Sequence, residues 1–433
     1  MDRGPERAAA QSRQSNRAAG REPPAPADPD GHHAQHARPS DEDIALLDEH
    51  LRLIAGQADT VVGYFYAALF VEDPALRSLF PAAMDVQRDR LFRALTGAVR
   101  HIGNAETFVP MLRQLGRDHR KYGVRTEHYD TFGRALLTAL ATYGEDIWVP
   151  ELEDAWRRAY HYMATTMVEG AQQAAVNQPA WWRGEIIAHE RRAEDIAVLT
   201  VRTDHPYTYR AGQFASVETT FRPRTWRTYS MATGQSPDGL LEFHVRAVGA
   251  GFVSGPLVWR ATVGDVLKIG APMGELAIDK QSQRDVLCIG GGTGLAPIKA
   301  LVDEMTRWNT ARKVAIFFGA RRSGDLYDMS SLHRMAAINP WLTVIPCVSE
   351  DDSFAGERGN LPDVVARHGR WSEHDVVVSG SPAMTRATLS RLRDLGVPDQ
   401  RVSTDLAGSV HPATAHVIDL RRSRANRATS RRR

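Results

Sequence analysis

The chain has 433 residues, 42% of them hydrophobic and 24% charged, enough for about three domains of ~150 residues with buried cores. Its only cysteines are Cys288 and Cys347, which excludes a disulfide framework and a cysteine-built zinc or iron–sulfur site. The formal charge of +2 divides into about +1 for residues 1–40, about +6 for residues 406–433 and about −5 between them, so no broad nucleic-acid-binding surface is expected.

Residues 1–40 are rich in Ala, Arg, Pro and Gln, lack periodicity and cannot bury enough apolar surface to order themselves. His32, His33 and His36 are read as part of that tail, not as a metal tract. No apolar segment follows the N-terminal arginines, and no stretch approaches the ~18–20 apolar residues of a membrane span. A cytoplasmic protein without a membrane span is expected. Ser40, with Asp43 three residues on, marks a helix N-cap. From 41 to 178 the pattern is helical. Leu91, Leu95, Ala98, Val99 and Ile102 make one apolar stripe; Phe108, Met111, Leu112, Leu115, His119 and Tyr122 make another. Thr126 is the expected cap of a helix through Leu136, Leu137 and Leu140. Pro150 opens the next, which carries Trp156, Tyr160, Met163 and Met167.

Past Asn177 the period changes. Between 182 and 280 lie short β-rich runs at Glu185–His189, Ile196–Val201, Gln213–Glu218, Thr228–Met231, Glu242–Val248 and Val266–Ile269, punctuated by Gly and Pro as in a small antiparallel barrel. From 284 to 407 apolar strands (Val286–Ile289, Val314–Phe318, Leu342–Cys347, Val376–Ser379) alternate with helices (Pro297–Trp308, Leu361–Arg367, Ala383–Leu395). That alternation implies a parallel sheet with ligands at the strand carboxyl ends. Residues 408–433 form a second, basic tail, whose partner is unknown. The fold class is therefore multidomain: all-α, antiparallel β-barrel, then α/β.

The strand at Val286 runs into Gly290-Gly291-Gly292-Thr293-Gly294 and then a helix containing Pro297. Glycines there let backbone approach a pyrophosphate, and the helix N-terminus stabilises its charge. Upstream stand Arg227-Thr228-Tyr229-Ser230 and the turn Gly251-Phe252-Val253-Ser254. In this order the chain resembles the ferredoxin–NADP reductase-like flavin reductases. The resemblance implies FAD, with Arg227 on its pyrophosphate, Thr228 in the same motif, Tyr229 against the isoalloxazine, Ser230 near its reactive nitrogen, and Gly251, Val253 and Ser254 closing the turn. Ser379-Gly380-Ser381-Pro382 stands where the family commonly has Cys-Gly-x-Pro, and no aromatic residue occurs in Val402–Leu406 to shield the flavin. Arg321 and Arg322 follow the second strand, where an arginine can hold a 2′-phosphate. The family's Gly-Ala-Arg pattern favours NADH within an NAD(P)H class.

A helical domain ahead of a flavin reductase, without cysteine clusters, points to haem as electron acceptor. Val61–Phe70, Leu79-Phe80-Pro81, Gln87 four before Leu91, and His119 followed by Tyr129 resemble a bacterial globin. The whole of 41–407 resembles a flavohaemoglobin. That resemblance implies haem b on His119, Tyr66 as the distal tyrosine with Phe65 beside it, Phe80 on the haem edge, Gln87 and Leu91 on the distal helix, and Tyr129 near the proximal histidine. Ala171 stands where the family has its proximal glutamate, with Glu169 two residues away, and Asp118 replaces the usual basic residue. The implied substrates are O2, NO and NAD(P)H, and the implied activity is nitric oxide dioxygenation. An NADH oxidase, haem peroxidase or quinone-type reductase, and a gas-binding sensor globin kept ferrous by its reductase, are the alternatives.

Overall fold

The computed structural model describes residues 38–144, 147–236, 238–249 and 251–406; both tails read from the sequence lie outside the described residues, apart from Arg38, Pro39 and Ser40. Ser40 and Asp43 exchange side-chain-to-backbone hydrogen bonds of 3.1 and 3.0 Å, forming the capping box that opens helix α1 (Asp41–Ile54). Helices α2 (Ala58–Glu72), α3 (Asp85–His101), α4 (Ala105–His119), α5 (Thr126–Tyr143) and α6 (Pro150–Asn177) follow. Thr126 does not cap α5. Arg125 takes that position, its N–H donating to His128 Nδ1 at 3.1 Å, and Thr126 is the first helical residue. Against the sequence reading, Asp41–Glu72 contains an 18-residue stretch with a mean hydropathy of 1.3, enough for a membrane span by length and composition alone. A 3-10 turn at Ala55–Gln57 divides it, and Leu47, Leu51, Ile54, Val62, Phe65 and Leu69 pack into the helical core.

The tightest helical contact sets the position of His119. A Cβ on Gly116 would stand 1.9 Å from the Met167 carbonyl oxygen, and one on Gly170 would stand 2.3 Å from that of Arg113. Two glycines thus let α4 and α6 cross backbone against backbone, one turn before His119.

The second region is an antiparallel sheet of β1 (Trp182–Ala193), β2 (Ile196–Thr203), β3 (Phe214–Thr219), β4 (Arg227–Ser230), β5 (Leu240–Arg246) and β6 (Val266–Ile269), in the order β4-β3-β6-β1-β2-β5. A bridge from Met231 to Phe243 joins the two ends and nearly closes the barrel. A short helix α7 (Ser254–Trp259) lies against it and was not foreseen. The third region is a parallel sheet of β7 (Val286–Gly291), β8 (Val314–Ala320), β9 (Leu342–Val348), β10 (Glu357–Arg358), β11 (Asp375–Ser379) and β12 (Val402–Thr404), ordered β10-β9-β8-β7-β11-β12. Its helices are α8 (Leu295–Met305), α9 (Met329–Ile338), α10 (Leu361–Arg367) and α11 (Pro382–Asp394). α8 begins and ends earlier than expected, because the glycines wind directly into it through a 3-10 turn at Gly292–Gly294. β10 and β12 have two and three residues, too few to show a pattern, and the ten-residue α9 is not among the expected helices.

Buried charges join these two regions. Lys299 on α8 places Nζ 2.8 Å from Glu242 on β5 and 2.9 Å from Asp328 ahead of α9. His244 Nε2 lies 2.9 Å from Glu242, its Nδ1 lies 2.7 Å from the Tyr327 hydroxyl, and Arg192 of β1 also pairs with Asp328. Such groups are tolerated inside only when paired, and removing one partner leaves an uncompensated buried charge. Burial alone would raise the Glu242 carboxyl; His244 and Lys299 hold it down at about 2.

Two outcomes follow from this packing. Gly170→Ala forces α4 and α6 apart and destabilises the helical domain by about 1–3 kcal/mol, read by helical unfolding. Glu242 contributes stability that is present above the ordinary carboxyl value of 4.5 and lost as pH falls toward about 2. Glu242→Gln therefore lowers the thermal midpoint at pH 7 and narrows the gap to the midpoint measured at pH 3. An unchanged gap removes Glu242 from the account of acid sensitivity.

Candidate functional site

In the helical region, His119 closes α4. Its Nδ1 engages the Leu115 carbonyl at 2.8 Å, one turn back, and Nε2 makes no hydrogen bond among the described residues. Burial lowers its pKa, opposed by the Leu115 carbonyl and Asp118, with Lys121 adding to the lowering. The neutral imidazole is the form that ligates iron. Tyr66 is buried on α2, 5.6 Å from the Phe80 ring and 4.9 Å from that of Phe65. Burial pushes its phenol up to about 12 against the pull of Arg88, so it stays an O–H donor. Phe65 is itself 1% exposed and packs on Phe132 at 4.6 Å; it backs Tyr66 from the core.

Gln87 and Leu91 lie one turn apart on α3, both half-buried, and the Gln87 side-chain oxygen is buried without a protein partner. Leu79, Phe80, Met84, Met111, Leu115 and Met167 are also half-buried against the helical core. An unpartnered amide, a neutral buried phenol, a histidine with one nitrogen unbonded and apolar side chains left half-covered fit a flat apolar group that carries its own metal centre. His119 Nε2 would hold it.

The proximal side differs from the family pattern in a definite way. Glu169 pairs with Arg113 at 3.0 Å and both are about two-fifths exposed. Asp118 pairs with Lys121. The hydrogen-bond partner of His119 is therefore a neutral carbonyl, which leaves the imidazole less anionic than a carboxylate would. Tyr129 sits in the first turn of α5, its phenol pushed up to about 12 by burial, and its carbonyl accepts from the Tyr160 hydroxyl. The ring standing against His119 is Tyr122, at 6.0 Å.

Between the barrel and the parallel sheet lies a cavity of about 1120 Å³. Thr228, Tyr229 and Ser230 of β4 line one wall; Gly291, Gly292, Thr293 and Gly294 line the other, with Ser379 at the end of β11 and Gly380 just past it. This is the carboxyl end of the strands, at the point where the order reverses from β8 to β11 about β7. A Cβ at Gly294 would meet the Ser379 carbonyl oxygen at 2.5 Å, so the glycine turn packs directly on the β11 end.

Gly290 lies within β7 and Pro297 is buried in the first turn of α8, so both shape the turn without lining the cavity. Arg227 is exposed and donates to the Trp226 carbonyl at 2.9 Å. Val253 is buried, and Ser254 Oγ accepts from the Val248 N–H at 3.3 Å after the Gly251 turn. Burial raises the Tyr229 phenol well above its ordinary range, Arg227 opposing, so it presents a neutral ring. A cavity of this size with a neutral aromatic and a glycine turn at a helix start fits two adjoining nucleotides.

Several lining residues carried no sequence signal. Asp405, after β12, accepts from Ser379 Oγ at 2.6 Å; burial raises its carboxyl and that bond opposes the shift. His244 and Arg246 of β5 also face the cavity. Arg246 could have been suspected from strand alternation; Asp405 depends on β12 adding to the sheet edge. Both cysteines are buried, with thiols raised to about 12.

Comparison with known proteins agrees with each region in turn. Residues 63–167 match the globin family, 183–278 the oxidoreductase FAD-binding domain and 288–390 the oxidoreductase NAD-binding domain. The reductase component of a naphthalene 1,2-dioxygenase system from Pseudomonas putida is 32% identical over 228 residues, covering 52% of this chain and 68% of that one. A flavohemoprotein of Bordetella parapertussis is 26% identical over 394 residues, covering 84% and 97%. The flavohemoglobin structure from Malassezia yamatoensis superposes with a TM-score of 0.71 at 17% identity, covering 85% and 99%, which shows a shared fold.

The molecule is thus a haem-binding globin joined to a two-domain, NAD(P)H-dependent FAD oxidoreductase. The chain belongs to the flavohaemoglobins. His119→Ala is expected to abolish the haem Soret band while leaving flavin absorbance and NADH-dependent ferricyanide reduction in place. Retention of a normal Soret band would transfer the ligand role to another residue.

Proposed function

We propose that this flavohaemoglobin is a nitric oxide dioxygenase that turns NO and O2 into nitrate with electrons from NADH. The observation that carries the reading is the buried, neutral Tyr66 hydroxyl on α2, with the half-buried Gln87 side chain on α3 held by no protein partner at its oxygen. Each turnover takes one electron, NO + O2 + e⁻ → NO3⁻, so one hydride serves two turnovers. When bound, FAD splits the hydride pair into single electrons and haem supplies the one-electron site for dioxygen. Tyr66 would offer its O–H to the substrate oxygen that gains negative charge, and the N–H of the Gln87 amide, not its oxygen, would offer a second donor. Phe80 and Leu91 keep water from competing for those bonds. At the other site Tyr229 and Ser230 orient the flavin ring, and the Ser379–Asp405 pair borders the nicotinamide position.

The preference for NADH is supported by charge. Of the arginines lining the cavity, Arg321 lies 3.9 Å from Glu350 and Arg391 lies 3.9 Å from Asp363, so each already faces a carboxylate that would oppose a 2′-phosphate. The carbonyl partner of His119 favours one second reading. A less anionic imidazole raises the iron potential and stabilises the ferrous form, as in a gas-binding globin kept ferrous by its own reductase.

The test is anaerobic reduction by NADH or NADPH, then addition of O2 and NO with nitrate measured. Nitrate matching the NO consumed, at a rate far above the protein-free rate, is expected. Tyr66→Phe is expected to slow NO consumption about tenfold, the worth of one hydrogen bond of ~1–1.5 kcal/mol. Haem that reduces normally while NO disappears no faster than without protein would remove the dioxygenase reading and leave the gas-binding one.

A further inference from the structure

The residues just past His119 do more than end a helix. Arg120–Tyr122 forms a 3-10 turn, and Gly123 at φ +82° redirects the chain. The Tyr122 ring stands 6.0 Å from His119 on one side and 6.2 Å from Trp226 of the flavin barrel on the other, edge to face in both cases. Trp226 immediately precedes β4, whose Tyr229 lines the flavin–nicotinamide cavity. Lys121 pins this contact. Its side chain is 3% exposed, its Nζ donates to Ser216 Oγ on β3 at 2.9 Å and to Asp118, and it lies 5.1 Å from the Tyr122 ring centroid and 5.3 Å from that of Trp226. Desolvating an ammonium is costly, and here the carboxylate, the hydroxyl and two ring faces offset that cost.

We propose that Tyr122 and Trp226 form the aromatic junction that couples the flavin side of the molecule electronically to the haem side, with Lys121 as the positioning residue that holds the two rings together. Electron transfer weakens steeply with distance, and more steeply across a gap than through packed atoms. The His119–Tyr122–Trp226 series replaces a domain gap with ring-to-ring contact. One electron passes per event from reduced flavin to ferric haem, the hydride of NADH having supplied the pair. Neither ring is itself oxidised, and no proton need leave the tyrosine. The inference rests on the flavin-to-haem direction of flow and not on NO chemistry, so the test contains no NO.

Trp226→Met and Trp226→Phe are compared with the parent in the full chain loaded with haem and FAD. Flavin reduction is read as NADH–ferricyanide turnover. Haem reduction is read by rapid mixing with NADH under carbon monoxide, as the Soret shift. The methionine variant is expected to keep haem content, Soret position and ferricyanide turnover while its haem reduction slows about tenfold. The phenylalanine variant recovers most of that rate. In the cofactor-free chain, Lys121→Met is expected to raise hydrogen exchange together in residues 118–122 and 214–227, a readout independent of catalysis. The proposal is overturned if Trp226→Met reduces haem at the parent rate, or if the phenylalanine variant is as slow as the methionine one. It is likewise overturned if Lys121→Met leaves exchange at both segments unchanged.

Discussion

Lys299, Glu242, Asp328 and His244 are buried together at the seam of the two reductase regions, and none of them is stable there without the others. Two charges lie on one side of the seam and two titratable groups on the other, so separating the barrel from the parallel sheet would expose the apolar seam and leave charges unpaired at once. A buried ion network adds little net stability over an apolar interface of equal volume, but it admits few alternative registers. The cavity between β4 and the glycine turn lies along the same seam, with His244 in its wall. The shape of that cavity is therefore set by these ion pairs as much as by the strand and glycine turn that line it.

The junction on the other side of the barrel is smaller and built differently. Each region completes its own apolar core, and the globin reaches the barrel through Lys121 and Tyr122, while Arg120 donates to the Gln178 carbonyl at the end of α6 at 2.7 Å. These contacts come from the three residues after His119. The same turn thus closes the helix that carries His119 and seats it on the FAD-binding domain. The Gly116–Gly170 crossing fixes the other end of that helix turn, so His119 is held from both directions. Its carbonyl partner departs from the family's proximal carboxylate, and the Glu169–Arg113 pair shows that the nearby acid is engaged elsewhere.

The motifs were legible because each is local. The Ser40–Asp43 capping box, the glycine turn after β7 and the Arg-Thr-Tyr-Ser strand each carry their whole physical reason within a few residues. Boundaries shifted where a neighbour intervened: His128 moved the cap of α5 to Arg125, and the 3-10 turn at Gly292 brought α8 forward. Asp405 and Trp226 had no comparable signature. A lone aspartate near a chain end and a tryptophan before a strand are unremarkable until β12 pairs with β11 and Tyr122 arrives from a hundred residues upstream.

The residue sequence alone settled the order of three domains and the types of cofactor, because helical stripe, alternating strand and phosphate turn are short-range patterns. Folding decided what no spacing encodes. It gave His119 a carbonyl instead of a carboxylate, packed Lys299, Glu242, Asp328 and His244 against one another, and brought Lys121 and Tyr122 to Trp226. Those contacts join residues far apart in the chain, and their energies exist only once the desolvated partners meet.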